Sequence, residues 1–98
     1  MEIQKSLDDN KLTIKLNGRL DTNTAPILNE ELTKDLFQIK ELILDFNELK
    51  YISSAGLRVI LATQKVMNKQ GSMTIKNVNS LIMEVFDATG FTDILTLE

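Results

Sequence analysis

The side chains best suited to covalent chemistry are two neighbouring hydroxyls, Ser53 and Ser54, which precede Ala55 and Gly56. The small residues behind Ser54 leave its hydroxyl uncovered at the predicted start of a helix. We predict that Ser54 is the N-cap residue of this helix, where free backbone N–H groups and the helix dipole favour negative charge. Ser54 is therefore a candidate phosphate acceptor. Taken alone, a Ser-Ser-x-Gly stretch is more often a helix cap with a packing glycine than a modification site.

A small hydrolase that uses Ser54 as its nucleophile is the alternative from a different functional class. Acyl transfer needs a base that accepts the hydroxyl proton, usually histidine, and the chain contains no histidine. A lysine three residues after the serine would also serve, but Leu57 occupies that position. We therefore expect the chain to have no enzymatic activity.

The second candidate side chain is Asp21, at the end of Gly18-Arg19-Leu20-Asp21. A carboxylate beside a helix start is commonly a cap or a partner of the helix dipole. Both candidates lie in predicted loops, residues 18–24 and 47–56, which follow two strands. Functional residues of open α/β sheets gather at the carboxyl ends of strands, so the fold should bring these loops together.

Composition excludes several functional classes. Cysteine and histidine are both absent, and the four glycines form no nucleotide-binding motif, so we expect no metal and no cofactor. The net charge of −3 and the isoelectric point near 4.9 argue against a nucleic-acid partner. No apolar run approaches the roughly 20 residues that span a bilayer, and the first residues lack a secretory signal, so we expect a cytoplasmic protein with no membrane partner.

The 98 residues fit one domain, residues 1–98, which begins with a predicted β-hairpin. Alternation at Leu12, Ile14 and Leu16 predicts a strand with one buried face. Ile3 and Lys5 begin a similar pattern, and Asp8-Asp9-Asn10 suits the turn between the two strands.

Two strand-helix-strand units follow the hairpin. Thr22, Asn23 and Thr24 offer caps for a first helix with Pro26 in its first turn, and the buried stripe of that helix is Leu28, Leu32 and Leu36. The nearly continuous apolar run Leu42–Phe46 predicts a central strand covered on both faces. A second helix buries Leu57, Ile60, Leu61 and Met67, and ends at Lys69-Gln70-Gly71.

Met73 and Ile75 predict a further strand, and Asn79 or Ser80 caps a third helix that turns Leu81, Val85 and Ala88 toward the core and stops at Gly90. The tail from Phe91 to Leu97 is expected to form a turn and an edge strand. These units predict an α/β fold with a mixed sheet, in which right-handed crossovers connect the parallel strands.

The run Leu42–Phe46 followed by Leu49–Leu61 resembles the signature of the STAS family of anti-sigma factor antagonists. Gly18–Asp21 resembles a turn of the same family, and Leu81–Phe86 with Gly90-Phe91 resembles its closing helix, so the resemblance covers essentially the whole chain. It implies a STAS-like single domain that binds a serine kinase, which also acts as an anti-sigma factor, and thereby frees a sigma factor. The kinase phosphorylates a loop serine, and a phosphatase restores it.

By its position in this motif, Ser54 corresponds to the phosphorylated residue, and Asp21 corresponds to an aspartate that contributes to the kinase contact or to phosphorylation. Many family members have aspartate where this chain has Ser53. A STAS scaffold or sensor that binds another regulatory protein without phosphorylation is the alternative within the family. The expected partner-binding residues are Asp21, Thr22, Asn23, Thr24, Ser53, Ser54, Ala55, Gly56 and Arg58.

Overall fold

In the computed structural model, which describes residues 1–98, four strands form one mixed sheet in the order β1-β2-β3-β4. β1 pairs with β2 antiparallel, whereas β2–β3 and β3–β4 are parallel. This topology confirms the predicted α/β fold. The elements are β1 (Glu2–Asp8), β2 (Lys11–Leu20), α1 (Ala25–Asp35), β3 (Glu41–Ile52), α2 (Ser54–Gln70), β4 (Ser72–Lys76) and α3 (Ser80–Thr89), with short 3-10 turns at Leu36–Gln38 and Phe91–Asp93.

The hairpin forms as predicted. Leu12, Ile14 and Leu16 are fully buried on one face of β2, because their polar neighbours alternate onto the opposite face. Asp9 takes a positive φ of 58° in the turn, a conformation that aspartate tolerates better than most residues. β1 is the edge strand, and its Lys5 pairs with Ile14.

Lys5 points to the same side of the sheet as the core and meets α1. Its ammonium lies 2.7 Å from a carboxylate oxygen of Asp35 and 3.3 Å from one of Glu31. The hydrogen bond to Asp35 is the main cause that raises the pKa of Lys5. This ion pairing joins the edge strand to the first helix.

The helices leave one face of the sheet without a helical cover. A single core cluster includes Leu42, Leu44 and Phe46 of β3, together with buried residues of all three helices. Ile43 points to the other face, between Thr13 and Thr74, and lies outside this cluster. The prediction that the central strand is covered on both faces was therefore wrong: its apolar run reflects one core face plus one isoleucine that its strand neighbours shield.

β3 is longer than predicted and runs to Ile52. Its twelve residues pair with the ten of β2 because the register shifts twice, once between Asp45 and Glu48 and once at Lys50. Each shift is a β-bulge that adds one residue to β3. The segment 47–52, predicted as loop, is thus strand, because the bulges accommodate the broken alternation of buried and exposed residues.

The helices differ from the sequence predictions in which residues they bury. α1 ends at Asp35, so Leu36 lies in the 3-10 turn and is only partly buried. Leu61 of α2 is half-buried, while the polar residues Thr63 and Gln64 are buried. In α3 the buried residues are Ile82 and Phe86; Leu81 and Ala88 are exposed and Val85 packs only partly against the core.

The tail docks on the far edge of the sheet. After the 3-10 turn at Phe91–Asp93, Leu97 forms a single parallel bridge with Ile75 of β4. Two backbone hydrogen bonds of 2.9 Å hold it: Ile75 N donates to Thr96 O, and Glu98 N donates to Ile75 O. The expected turn is present, whereas the expected edge strand is reduced to this single bridge. No helix in the chain has the length and apolar character that crossing a bilayer requires.

Candidate functional site

The two predicted loops meet at the carboxyl ends of β2 and β3. Leu20 and Ile52, the last residues of these strands, are register partners, and Ser53 N donates to Leu20 O at 2.9 Å. Asp21 and Ser53 therefore follow two adjacent strand ends. Because both strands run further than predicted, the connections are short: residues 21–24 lead into α1, and Ser53 alone leads into α2.

Ser53, and not Ser54, is the N-cap residue of α2. Its backbone is extended, with φ −99° and ψ 175°, and its Oγ accepts a hydrogen bond from Gly56 N at 3.3 Å. The prediction placed the cap one residue too late, since β3 continues to Ile52 and leaves a single residue for the transition. Ser54 is the first helical residue and its side chain is exposed.

Gly56 lets the start of α2 approach the strand ends. A Cβ at this position would lie 2.8 Å from Leu20 Cγ and 3.0 Å from Ile52 Cγ1. Leu20 is fully buried and Ile52 is 4% exposed, so neither side chain has free space beside it. The missing side chain of Gly56 therefore fixes how closely Ser53 and Ser54 sit to the carboxyl edge of the sheet.

Asp21 organises the turn that enters α1. Its Oδ1 accepts hydrogen bonds from Asn23 N at 3.0 Å and from Thr24 N at 3.1 Å. Thr24 occupies the N-cap position, but its hydroxyl does not cap the helix: it accepts from Asp21 N at 2.8 Å and donates to Arg19 O at 2.7 Å. Thr22 and Asn23, which were also expected as caps, have exposed side chains.

These hydrogen bonds also set the ionisation of Asp21. The hydrogen bond from the backbone N–H of Thr24 is the largest effect on the pKa of this carboxyl, and it lowers the pKa. Desolvation is the next largest effect and raises the pKa, whereas the hydrogen bond from the N–H of Asn23 lowers it further. Because the N–H groups bind the charged form, Asp21 stays ionised at neutral pH.

A cation–aromatic pair beside these loops was not among the predicted site residues. The guanidinium carbon of Arg19 lies 4.2 Å from the centroid of the Tyr51 ring, and Arg19 Nε lies 3.8 Å from Asp21 Oδ2. Arg19 and Tyr51 are direct register partners on β2 and β3. The sequence pattern did not predict this pair, because the bulge at Lys50 determines which residue of β3 lies opposite Arg19.

The remaining predicted residues, Ala55, Gly56 and Arg58, lie in the first turns of α2. Ala55 is half-buried, Gly56 is buried, and Arg58 is exposed one helical turn after Ser54. Residues four apart on a helix are neighbours on its surface, so the Arg58 side chain borders Ser54. The arrangement presents an accessible hydroxyl at a helix start, with Arg58 one turn further along α2 and Asp21 after the end of the neighbouring strand β2.

One shallow hollow of about 320 Å³ lies apart from these loops. Its lining residues are Gln4, Lys15, Asn17 and Glu48, from the first three strands. None of them is apolar, whereas small-molecule sites are mostly apolar. We therefore locate the candidate site at the loops and not in the hollow.

Comparison with known proteins identifies the family. Residues 2–98 match the model of the STAS domain. The anti-sigma-B factor antagonist of Bacillus subtilis strain 168 is 31% identical over 91 residues, which span 92% of this chain and 84% of that protein.

Two solved structures share the fold. The structure of the anti-sigma factor antagonist SpoIIAA in its unphosphorylated form matches with a TM-score of 0.81 at 18% identity. The match covers 99% of this chain and 87% of the SpoIIAA chain. The phosphorylated form of the Bacillus protein SpoIIAA has a TM-score of 0.79 at 18% identity, with 99% and 91% coverage. Because the family model spans nearly the whole sequence, the chain belongs to the STAS domain family.

Proposed function

We propose that this chain is an anti-sigma factor antagonist. It binds a serine kinase that acts as an anti-sigma factor, releases a sigma factor in the cytoplasm, and loses this binding when the kinase phosphorylates Ser54. A phosphatase restores the active form, and the chain itself performs no catalysis. The observation that carries the proposal is the exposed Ser54 hydroxyl at the first residue of α2, in a domain whose relatives are named anti-sigma factor antagonists.

The two neighbouring hydroxyls differ in a way that favours Ser54 as the phosphate acceptor. Ser53 Oγ already accepts from Gly56 N, so this hydroxyl is engaged in capping the helix. Ser54 has no such structural role and is exposed. The capping role also accounts for the aspartate that many family members have at the Ser53 position, because aspartate and serine are about equally good N-cap residues.

A phosphate on Ser54 should block binding and leave the fold intact. It adds about −1.5 to −2 charges at neutral pH, which the backbone N–H groups and dipole of a helix start accommodate. At an interface shaped for a neutral hydroxyl, the same group is an unpaired buried charge that costs several kcal/mol. Since about 1.4 kcal/mol is a tenfold change in affinity, this is enough to dissociate the complex.

The test uses the GHKL-type serine kinase encoded nearest to this chain's gene, with ATP and mass spectrometry. We expect one phosphate, on Ser54, and none in Ser54→Ala. Ser54→Ala should bind the kinase constitutively and Ser54→Asp weakly, both with the circular dichroism and melting behaviour of the wild type. Ser53→Asp is the matched control, which adds the same charge one residue away, preserves the cap and should bind.

Several results would contradict the proposal. Phosphate on Ser53, Thr22 or Thr24 would show that the switch residue is another one. Binding without phosphate transfer, unaffected by Ser54→Asp, would favour the scaffold or sensor alternative, and turnover of simple esters abolished by Ser54→Ala would favour a hydrolase. Unchanged binding of both Arg58→Glu and Asp21→Lys would mean that the partner docks elsewhere.

A further inference from the structure

The site end of the molecule differs in charge from the rest. We call residues 18–24 and 49–58 the loop end; it begins at the register pair Gly18–Leu49. It contains three cations, Arg19, Lys50 and Arg58, and a single carboxylate, Asp21. The other eight cations and thirteen carboxylates give the remainder of the chain a net charge of −5. The loop end thus carries a net charge of +2 on an otherwise acidic protein.

The bulge in β3 places Lys50 and Tyr51 at the loop end. Lys50 is the extra residue between the pairs Gly18–Leu49 and Arg19–Tyr51, and it is exposed. Without the bulge, Tyr51 would pair with Leu20 and turn toward the core. Bulges commonly aim a side chain in this way; here the bulge turns the aromatic ring outward beneath the Arg19 guanidinium, 4.2 Å away.

Arg19 is held in place but has unused donors. Its nearest carboxylate oxygen, Asp21 Oδ2, is 3.8 Å from Nε, which is beyond hydrogen-bond distance, while Asp21 Oδ1 is occupied by two backbone N–H groups. The Arg19 side chain is 61% exposed. A guanidinium stacked on a ring keeps its planar fork of N–H groups free for a carboxylate.

We propose that the partner surface facing the loop end is acidic, and that Arg19, positioned by Tyr51, anchors the complex by binding a carboxylate of that partner. The inference rests on the proposed function and names the chemistry of its partner. Phosphorylation of Ser54 then acts in a second way: its charge of about −1.5 to −2 cancels the local +2 and removes the long-range attraction. Arginine and tyrosine are also the residues most often found as interface anchors.

The experiment measures the affinity of the kinase that phosphorylates Ser54 for the unphosphorylated protein, at low and high salt. Arg19→Ala should weaken binding about tenfold or more, as the loss of an anchor residue does. Tyr51→Ala should weaken it several-fold, whereas Tyr51→Phe keeps the ring and should bind normally. Arg19→Lys, which keeps the charge without the fork, should fall between Arg19→Ala and the wild type.

Lys69→Ala is the matched control, since it removes the same charge from the last turn of α2, about 22 Å along the helix from Ser54. Lys69→Ala should leave the affinity for the kinase unchanged. Of these two variants, only Arg19→Ala should reduce the salt dependence of that affinity. Equal affinities of Arg19→Ala and Lys69→Ala, with wild-type binding intact, would overturn the inference and leave the proposed function standing. Failure of the wild type to bind any such kinase would contradict both. An Arg19→Ala effect seen only after phosphorylation would also overturn it, because Arg19 would then serve the phosphoserine of its own chain.

Discussion

Adding one methyl group at Gly56 tests how the start of α2 is positioned. In Gly56→Ala the new Cβ would stand 2.8 Å and 3.0 Å from two carbons of Leu20 and 3.0 Å from one of Ile52, distances that well-packed atoms do not adopt. Overpacking of this kind costs about 1–3 kcal/mol. The better helix propensity of alanine returns up to about 1 kcal/mol. Since Leu20 is fully buried, we expect the upper part of the cost and a net loss of about 1–2 kcal/mol.

Thermal and urea unfolding measure this loss. In a domain of this size, each kcal/mol lowers the melting temperature by about 4–8 °C. The double variant with Leu20→Ala separates the clash from other effects, because it removes both of the leucine atoms in contact with the new methyl group. In that background only the 3.0 Å contact with Ile52 remains, and the space left by Leu20 lets Ile52 shift, so the loss caused by Gly56→Ala should shrink by about 1 kcal/mol or more. Wild-type stability of Gly56→Ala, or an equal loss in both backgrounds, would refute the packing argument.

The remaining predictions concern caps, charge and a second close approach. Ser53→Ala should lose about 1 kcal/mol of unfolding free energy by urea titration, and Ser53→Asp should lose little, because aspartate also caps; equal losses would exclude the capping role. Asp21 has a folded-state pKa below its usual 3.8, so it stabilises the fold above that pH and loses the contribution as pH falls through the lower value. The stability difference between wild type and Asp21→Ala should therefore narrow below pH 3.8, and a constant difference would contradict the assignment. Gly71→Ala would drive a methyl group into the carbonyl of Lys40. It should destabilise the protein more than Gly90→Ala, because the methyl group added at residue 90 has open space and only the backbone φ of +79° there is unfavourable. Thermal melts in which Gly90→Ala is the less stable variant would contradict this prediction.

The sequence predicted the elements that have one clear period, and it failed where two patterns compete. The alternation at Leu12, Ile14 and Leu16 has only one interpretation as a strand. In α3, however, Leu81 with Val85 and Ile82 with Phe86 are both apolar pairs at helical spacing. Ile82 and Phe86 are the pair that is buried, because the ring of Phe86 packs against Phe46 of β3, with ring centroids 6.5 Å apart. This contact depends on the assembled sheet.

The same limit applies to the site. Adjacent loops at the carboxyl ends of β2 and β3 follow from topology, and the structure brings Asp21 and Ser53 together as expected. Which serine caps α2 depends on where β3 ends, and that depends on two bulges with no sequence mark of their own. The pairing of Arg19 with Tyr51 has the same origin, since the extra residue Lys50 sets the register.

The ion pairs of Lys5 also bear on how the molecule behaves in a crowded cell. β1 leaves one row of backbone N–H and C=O groups free, and such an edge can recruit a strand from another molecule. An antiparallel partner β1 centred on the same residue would place two Lys5 ammonium groups opposite each other, with Asp8 facing Glu2 at both ends. Like charges in directly opposed positions destabilise a sheet. The charges along the edge strand therefore also disfavour a symmetric dimer in which two β1 strands pair with each other.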